Sequence, residues 1–229
     1  CGAGKYSPST GNQAEADCVA CSAGKFSTTP GATSEDTCNP CASGKFSSAE
    51  ANSAESDCVA CGFGTYSTAL GAVDVSTCQL CSAGKYASTQ GNAMESKCLL
   101  CATGKFSTVL GSASSTTCAL CAAGKFSDAR GNDEESNCQA CGAGTYSEYE
   151  GNDAESDCLQ CGVGTFSSVT GASSMAACIS CVAGKFQGIV GSQSEDDCVD
   201  CDKGKYSASA GASSVETCQD CVSGKYSPA

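Results

Sequence analysis

Cysteine recurs along this chain with a period of 20 residues and without one insertion or deletion. One series runs 1, 21, 41 and on to 221, and a second runs 18, 38, 58 and on to 218. Such a period marks a repeat architecture, in which a small unit is copied and each copy is completed by its neighbours. Positions in the repeat are counted from its first cysteine. Glycine stands at position 4 throughout, Lys or Thr at position 5, and Tyr or Phe at position 6. Position 7 is Ser except for Ala87 and Gln187, and position 11 is Gly except for Ala51. The copies span 1-20, 21-40, 41-60, 61-80, 81-100, 101-120, 121-140, 141-160, 161-180, 181-200 and 201-220, with a partial copy at 221-229.

This pattern decides how the composition is read. Leu, Ile, Val and Phe total only 28 of 229 residues, and the formal net charge is -13. A chain so acidic and so poor in large apolar side chains ordinarily stays disordered. Its 23 cysteines reverse that expectation, because such a density marks a disulfide scaffold. A single large hydrophobic core is excluded, and an oxidising, extracellular or cell-surface setting is expected. The chain opens and stops in mid-pattern and reads as a segment of a longer secreted protein. Its apolar runs are as short as Leu99-Leu100, so no membrane span is expected in this segment. The acidic balance disfavours nucleic acid and favours solubility, with cations or basic partners as weaker expectations.

Three regular pairings of the cysteines are open. Position 1 can join position 18 of its own unit, as Cys1 with Cys18, Cys21 with Cys38, Cys41 with Cys58 and Cys61 with Cys78. The series continues with Cys81 and Cys98, Cys101 and Cys118, Cys121 and Cys138, Cys141 and Cys158. It closes with Cys161 and Cys178, Cys181 and Cys198, Cys201 and Cys218, and leaves Cys221 to pair beyond the segment. Alternatively each C-x-x-C closes on itself, as Cys18 with Cys21, or bridges cross between non-adjacent positions. The first scheme is favoured. A loop of this size is stabilised by roughly 3 kcal/mol in the chain-entropy account, whereas a closed C-x-x-C is more often redox-active. The spacing of Cys18, Cys21, Cys38 and Cys41 also fits a four-cysteine zinc site, a reading held below the disulfide one. No metal or other cofactor is expected.

A short strand is expected over G-[KT]-[YF]-S, whose aromatic has high β propensity. The invariant Gly4 points to a positive φ or to a place with no room for Cβ, and Gly11 to a turn. The polar stretch before the second cysteine is left open between an irregular strand and a helical turn. The core aromatics are Tyr6, Phe26, Phe46, Tyr66, Tyr86, Phe106, Phe126, Tyr146, Phe166, Phe186, Tyr206 and Tyr226, each placed against a disulfide and the neighbouring unit. Lys5 and its equivalents are read as solvated charges, the alternative being a pair with the acidic segment of an adjacent unit or chain.

Nothing assembles into an active centre. There is no His, and every special residue recurs in ten or more copies, so no unique nucleophile and base stand out. The chain is read as non-enzymatic, with no catalytic, cofactor-binding or metal-binding residue. The acidic segments at Glu15-Ala16-Asp17, Glu55-Ser56-Asp57 and 153–157 lack the ligand spacing of a calcium loop and read as a solvated face. Ser and Thr are abundant, and O-linked glycans on an exposed row are an expectation.

The unit C-x-A-G-K-[YF]-S…G…C-x-x-C resembles the ephrin-receptor-like cysteine-rich repeats, also called GCC2/GCC3 repeats. Its first part also resembles the first submodule of tumour-necrosis-factor-receptor cysteine-rich domains. The resemblance spans the chain. It implies small disulfide-rich, β-hairpin or EGF-like modules in tandem, forming an elongated extracellular rod or superhelix with no large core. It also supports pairing Cys1 with Cys18 and its equivalents. A disulfide-laddered β-solenoid with one coil per repeat is the alternative fold.

Two functions follow. The first is an extracellular structural repeat protein that assembles into a fibre, filament or cell-surface appendage, with copies of itself or other matrix and surface proteins as partners. Its motive is the constant unit length, together with small residues at position 3 such as Ala3 and Ala23. The second is a spacer or binding surface in an adhesive or receptor ectodomain. Phe63, Tyr149 and Ile189-Val190 are the variations that would mark it.

Overall fold

A computed structural model describes residues 1–225; Tyr226, expected among the core aromatics, lies outside them. The first repeat shows the plan of all. Strand β1 (Lys5–Tyr6) pairs antiparallel with β2 (Val19–Ala20), Lys5 opposite Ala20 and Tyr6 opposite Val19. A one-turn 3-10 helix, Glu15–Asp17, lies between them. The same hairpin, with the same register, recurs from β3 (Lys25–Phe26) with β4 (Asn39–Pro40) onward. Among the described residues there is no α-helix, and every sheet has two strands. This is a tandem array of small disulfide-rich modules, not a solenoid with a continuous sheet.

Hairpins of two residues per strand are too short to stand alone in water. A disulfide closes each one. Cys1 bonds Cys18 with a Cα separation of 5.5 Å, and Cys41 bonds Cys58 at 5.8 Å. The same pairing joins Cys21 to Cys38, Cys61 to Cys78, Cys81 to Cys98 and Cys121 to Cys138. It joins Cys141 to Cys158, Cys161 to Cys178, Cys181 to Cys198 and Cys201 to Cys218. Cys101 and Cys118 are disulfide-bonded as well. Among the described residues Cys221 has no disulfide partner. With their sulfurs oxidised, these cysteines are not available as zinc thiolates.

Contacts divide the chain into two compact units. One comprises Cys1–Cys101 with Ser107–Thr117; the other comprises Ala102–Phe106 with Cys118–Ala229, described as far as Lys225. In the first unit, four backbone hydrogen bonds join the first repeat to the second. Gly4 N donates to Ser27 O, Ser7 N to Ala32 O, Gly31 N to Cys1 O, and Cys21 N to Gly4 O, all at 2.8–2.9 Å. Tyr6 and Ala32 form a single parallel bridge there. The second unit repeats this: Gly124 N donates to Ser147 O, Gly151 N to Cys121 O and Cys141 N to Gly124 O. Each bond contributes about 0.5–1.5 kcal/mol net, and the set recurs at other junctions within each unit, as with Gly44 N to Ser67 O and Gly144 N to Ser167 O.

Contact also reaches two repeats ahead. An ideal Cβ on Gly44 would sit 2.3 Å from Gly91 O, and one on Gly64 would sit 1.9 Å from Gly111 O. In the second unit the pairs are Gly104 with Gly151 and Gly144 with Gly191. Gly44 also has φ +84°, so both readings of the invariant glycine hold at once. At position 11, Ala51 takes the glycine conformation with φ 57°, a strained choice for a residue with Cβ.

The interior is small and sulfur-rich. The largest side chains buried to under 2 % exposure are cysteines, with Ser27, Ser67 and Ser107 among them. Position 7 is buried because its N–H and C=O both bond across repeats, as Ser27 N to Asn52 O and Gly4 N to Ser27 O. The described aromatics at position 6 are half-buried, except that Phe126 is buried and Tyr206 is exposed. Phe126 packs on Cys141 and Cys158 of the next repeat, and Tyr66 on Cys81 and Cys98.

Candidate interaction surface

Each hairpin turns one face outward. The aromatic at position 6 stands opposite position 19, so the two side chains share a face, and such cross-strand pairs stabilise short ladders. Tyr6 faces Val19, Phe46 faces Val59, Tyr86 faces Leu99, and Phe166 faces Ile179. The aromatic is half-buried, while Val59, Leu99 and Ile179 keep half or more of their surface exposed. Position 19 is Asn39 or Gln79 in other repeats, so the fold accepts a polar residue there. Position 20 has a second duty: Leu80 lies over Gly111 and Leu120 over Gly151, two repeats ahead.

The residue before the aromatic, lysine in most repeats, makes ion pairs. Lys5 Nζ is 3.0 Å from Glu15, Lys25 is 2.8 Å from Glu35, and Lys45 is 2.9 Å from Glu55. Lys85–Glu95 and Lys125–Glu135 repeat the geometry at 2.7 and 3.0 Å. The partner of the lysine is therefore the acid of its own repeat, not of an adjacent one. Lys185 and Lys205 instead reach Asp200 and Asp220 across the hairpin, at 3.5 and 3.8 Å. The Lys5 ammonium lowers the Glu15 pKa, and Lys85 does the same to Glu95, first through the hydrogen bond and then through charge. The Glu35 carboxylate raises the Lys25 pKa.

The acidic segments cap the 3-10 turns. Asp57 accepts the N–H groups of Ser53 and Ala54 at 2.7 and 3.0 Å, which lowers its pKa. Where position 17 is Thr, the device is rebuilt with other atoms. Thr77 Oγ1 donates to Asp74 O, and Ser76 N donates to the Asp74 carboxylate, lowering that pKa too. Their carboxylates thus have structural partners, and among the described residues no group of acidic, His or Cys side chains is arranged to hold a metal. No described helix is long and apolar enough to cross a membrane.

Position 12 was not singled out as a packing site from the sequence. Asn52 is buried, and its Nδ2 donates to Lys25 O of the preceding repeat and to Ala49 O, both at 2.9 Å. Asn132 and Asn152 do the same across their junctions. The restriction of this position to Asn, Ala and Ser in every copy was the available signal.

Open recesses lie along the described surface. A recess of about 640 Å³ is lined by Thr145, Glu155, Leu159, Gln160 and Gln193, and a smaller one by Lys85, Glu95, Ser96 and Leu100. They occupy equivalent positions of the repeat and hold no buried constellation of catalytic type. Phe63, Tyr149, Ile189 and Val190 are all exposed.

Residues 131–178 and 152–198 match the family model described as tyrosine-protein kinase ephrin type A/B receptor-like. No curated protein matches the chain.

Proposed function

We propose that this chain, a tandem array of ephrin-receptor-like cysteine-rich repeats, is the structural part of an extracellular or cell-surface protein. It assembles with copies of itself, or with other matrix and surface proteins, into a fibre, filament or appendage. The observation that carries this reading is the half-exposed aromatic–aliphatic pair that several hairpins share, as at Phe46 with Val59, Tyr86 with Leu99 and Phe166 with Ile179. A surface repeated in several copies along one chain suits many weak, similar contacts, whose strengths combine once the first has formed. The absence of a unique chemical constellation from the sequence supports a non-catalytic role. Exposed Ser and Thr residues supply acceptors for O-linked glycans, and a mass unchanged by deglycosylation would remove that part.

Sedimentation velocity of the unreduced, full-length protein over a range of concentrations tests the assembly. Val59→Asn, Leu99→Gln and Ile179→Gln, made together, place on this face residue types the array already carries at position 19. The expected result is association that grows with concentration and is lost in the triple variant. A protein that stays monomeric, or a triple variant that associates unchanged, would contradict the proposal.

The second reading, a spacer or binding surface in an adhesive or receptor ectodomain, is favoured by the receptor-like family match and by the exposed, off-pattern Phe63, Tyr149 and Ile189. It predicts recognition confined to a few repeats, where the first reading predicts contacts spread along the array.

A further inference from the structure

We propose that Tyr149 is a tyrosine O-sulfation site. The other described tyrosines stand at position 6, in the hairpin strand, where they pack against a disulfide or pair with position 19. Tyr149 stands at position 9, in the turn that leads to Gly151, and is 72 % exposed. Most of its ring is in water, so packing does not account for an aromatic at a position held elsewhere by Ser9, Thr29, Ala49, Val109, Val169 or Ile189, none of which offers a phenol. No described residue hydrogen-bonds its hydroxyl, which leaves the phenol open to a modifying enzyme.

The backbone beneath it is fixed. Asn152 Nδ2 donates to Tyr149 O at 2.8 Å, to Ser147 Oγ at 3.0 Å and to Lys125 O at 3.0 Å. The Glu148 carboxylate accepts Met175 N at 3.2 Å. The turn therefore presents Tyr149 at the surface, flanked in sequence by Glu148 and Glu150.

Charge makes this phenol distinctive. The repeat 141–160 carries Glu148, Glu150, Asp153, Glu155 and Asp157 and no basic residue, because Thr145 replaces the usual lysine. A protein sulfotransferase binds a polyanionic phosphosulfate donor, so its cleft is basic. An acidic surface around the acceptor is then attractive at long range and complementary at contact. The compartment agrees, since a chain that acquires this many disulfides matures on the secretory route, where tyrosine sulfation takes place.

The step is a sulfuryl transfer. The Tyr149 phenolic oxygen attacks the sulfur of the phosphosulfate donor, and the bond from sulfur to the phosphate oxygen breaks. The nucleotide leaves with that oxygen, and the phenolic proton passes to a base of the modifying enzyme and then to solvent. Nothing is oxidised or reduced. The product is an aryl sulfate, which adds a permanent negative charge to a repeat already without a cation and strengthens its draw on basic partners.

The test is peptide mass spectrometry on native full-length protein from its source, with fragmentation that retains labile sulfate. Cleavage after glutamate separates Tyr149 from the nearby Tyr146. The expected result is the added mass of one sulfuryl group on Tyr149 and none on Tyr146, removed by arylsulfatase and not by phosphatase. An unmodified Tyr149, or a phosphate in its place, would overturn the proposal. In the secreted recombinant protein, Tyr149→Phe is expected to abolish the sulfopeptide while Tyr146→Phe leaves it in place. A sulfopeptide of unchanged yield in Tyr149→Phe would equally overturn it.

Discussion

Lysine at position 5 and the acid at position 15 change together in parts of this chain. Thr65 accompanies Val75 and Thr165 accompanies Met175, while Lys5, Lys25, Lys45, Lys85 and Lys125 each meet a glutamate. The ten-residue spacing was present in the sequence. Without the hairpin, nothing in it says that the two positions face each other. These pairs are exposed and individually weak, but with the Asp57 type of cap they set how the fold answers pH. Glu15, Glu95, Asp57 and Asp74 have lower pKa values folded than in their ordinary state. Their contribution is complete above the unfolded carboxylate pKa and is lost as pH falls through the folded value. Lys25, with a raised pKa, contributes below its unfolded value and loses this as pH rises through the folded one. Thermal unfolding followed against pH should therefore show a flat neutral range and a decline on acidification that Asp57→Asn reduces. A midpoint unchanged through the acid range would contradict the assignment. Glycine gives a second prediction at this scale. Gly44→Ala should destabilise by at least about 1–2 kcal/mol from its left-handed backbone alone, because its Cβ also meets Gly91 O. Gly62→Ala, with open space and no positive φ, should leave denaturant unfolding nearly unchanged.

The hairpin is the element that the cysteines make possible. Two strands of two residues and a single turn of 3-10 helix cannot offset their own ordering entropy, and a loop closed between positions 1 and 18 removes much of the unfolded chain's freedom. The strand at position 5 was legible from its aromatic. Its partner at position 19 was not, since Val-Ala, Asn-Pro, Gln-Leu and Val-Asp occur there alike and only backbone atoms pair. The 3-10 turn was undecided for a similar reason: its caps are Asp in some repeats and Thr with Ser or Asp in others. The buried role of Asn52 was hidden because Ala32 and Ala72 fill the same place without its hydrogen bonds. Replacing Cys81 and Cys98 together by alanine is predicted to cost about 3 kcal/mol. Hydrogen exchange should quicken within 81–100 and at amides that bond to it, such as Cys101 N to Gly84 O and Gly111 N to Cys81 O. Unaltered exchange at those amides would show that the bridge is not what holds the hairpin.

At the scale of the molecule, the constant repeat length has a cause inside the chain. In each compact unit a repeat bonds the next and touches the one after it, so an added residue would disturb two junctions at once. In the simplest repeat proteins only nearest neighbours touch; here the second neighbour is also engaged. Constant length alone therefore does not require assembly, and the structural proposal rests on the outward face of the hairpins. The tandem module was legible from the cysteine period. The second-neighbour contact was not, because it joins backbone to backbone through glycines whose sequence is silent about their partners. Electron microscopy of the native, unreduced, full-length protein from its source tests the central claim most directly. The account predicts long fibres with a regular axial repeat. Isolated flexible particles that carry a globular head would contradict it and make the array a spacer in an adhesive or receptor protein.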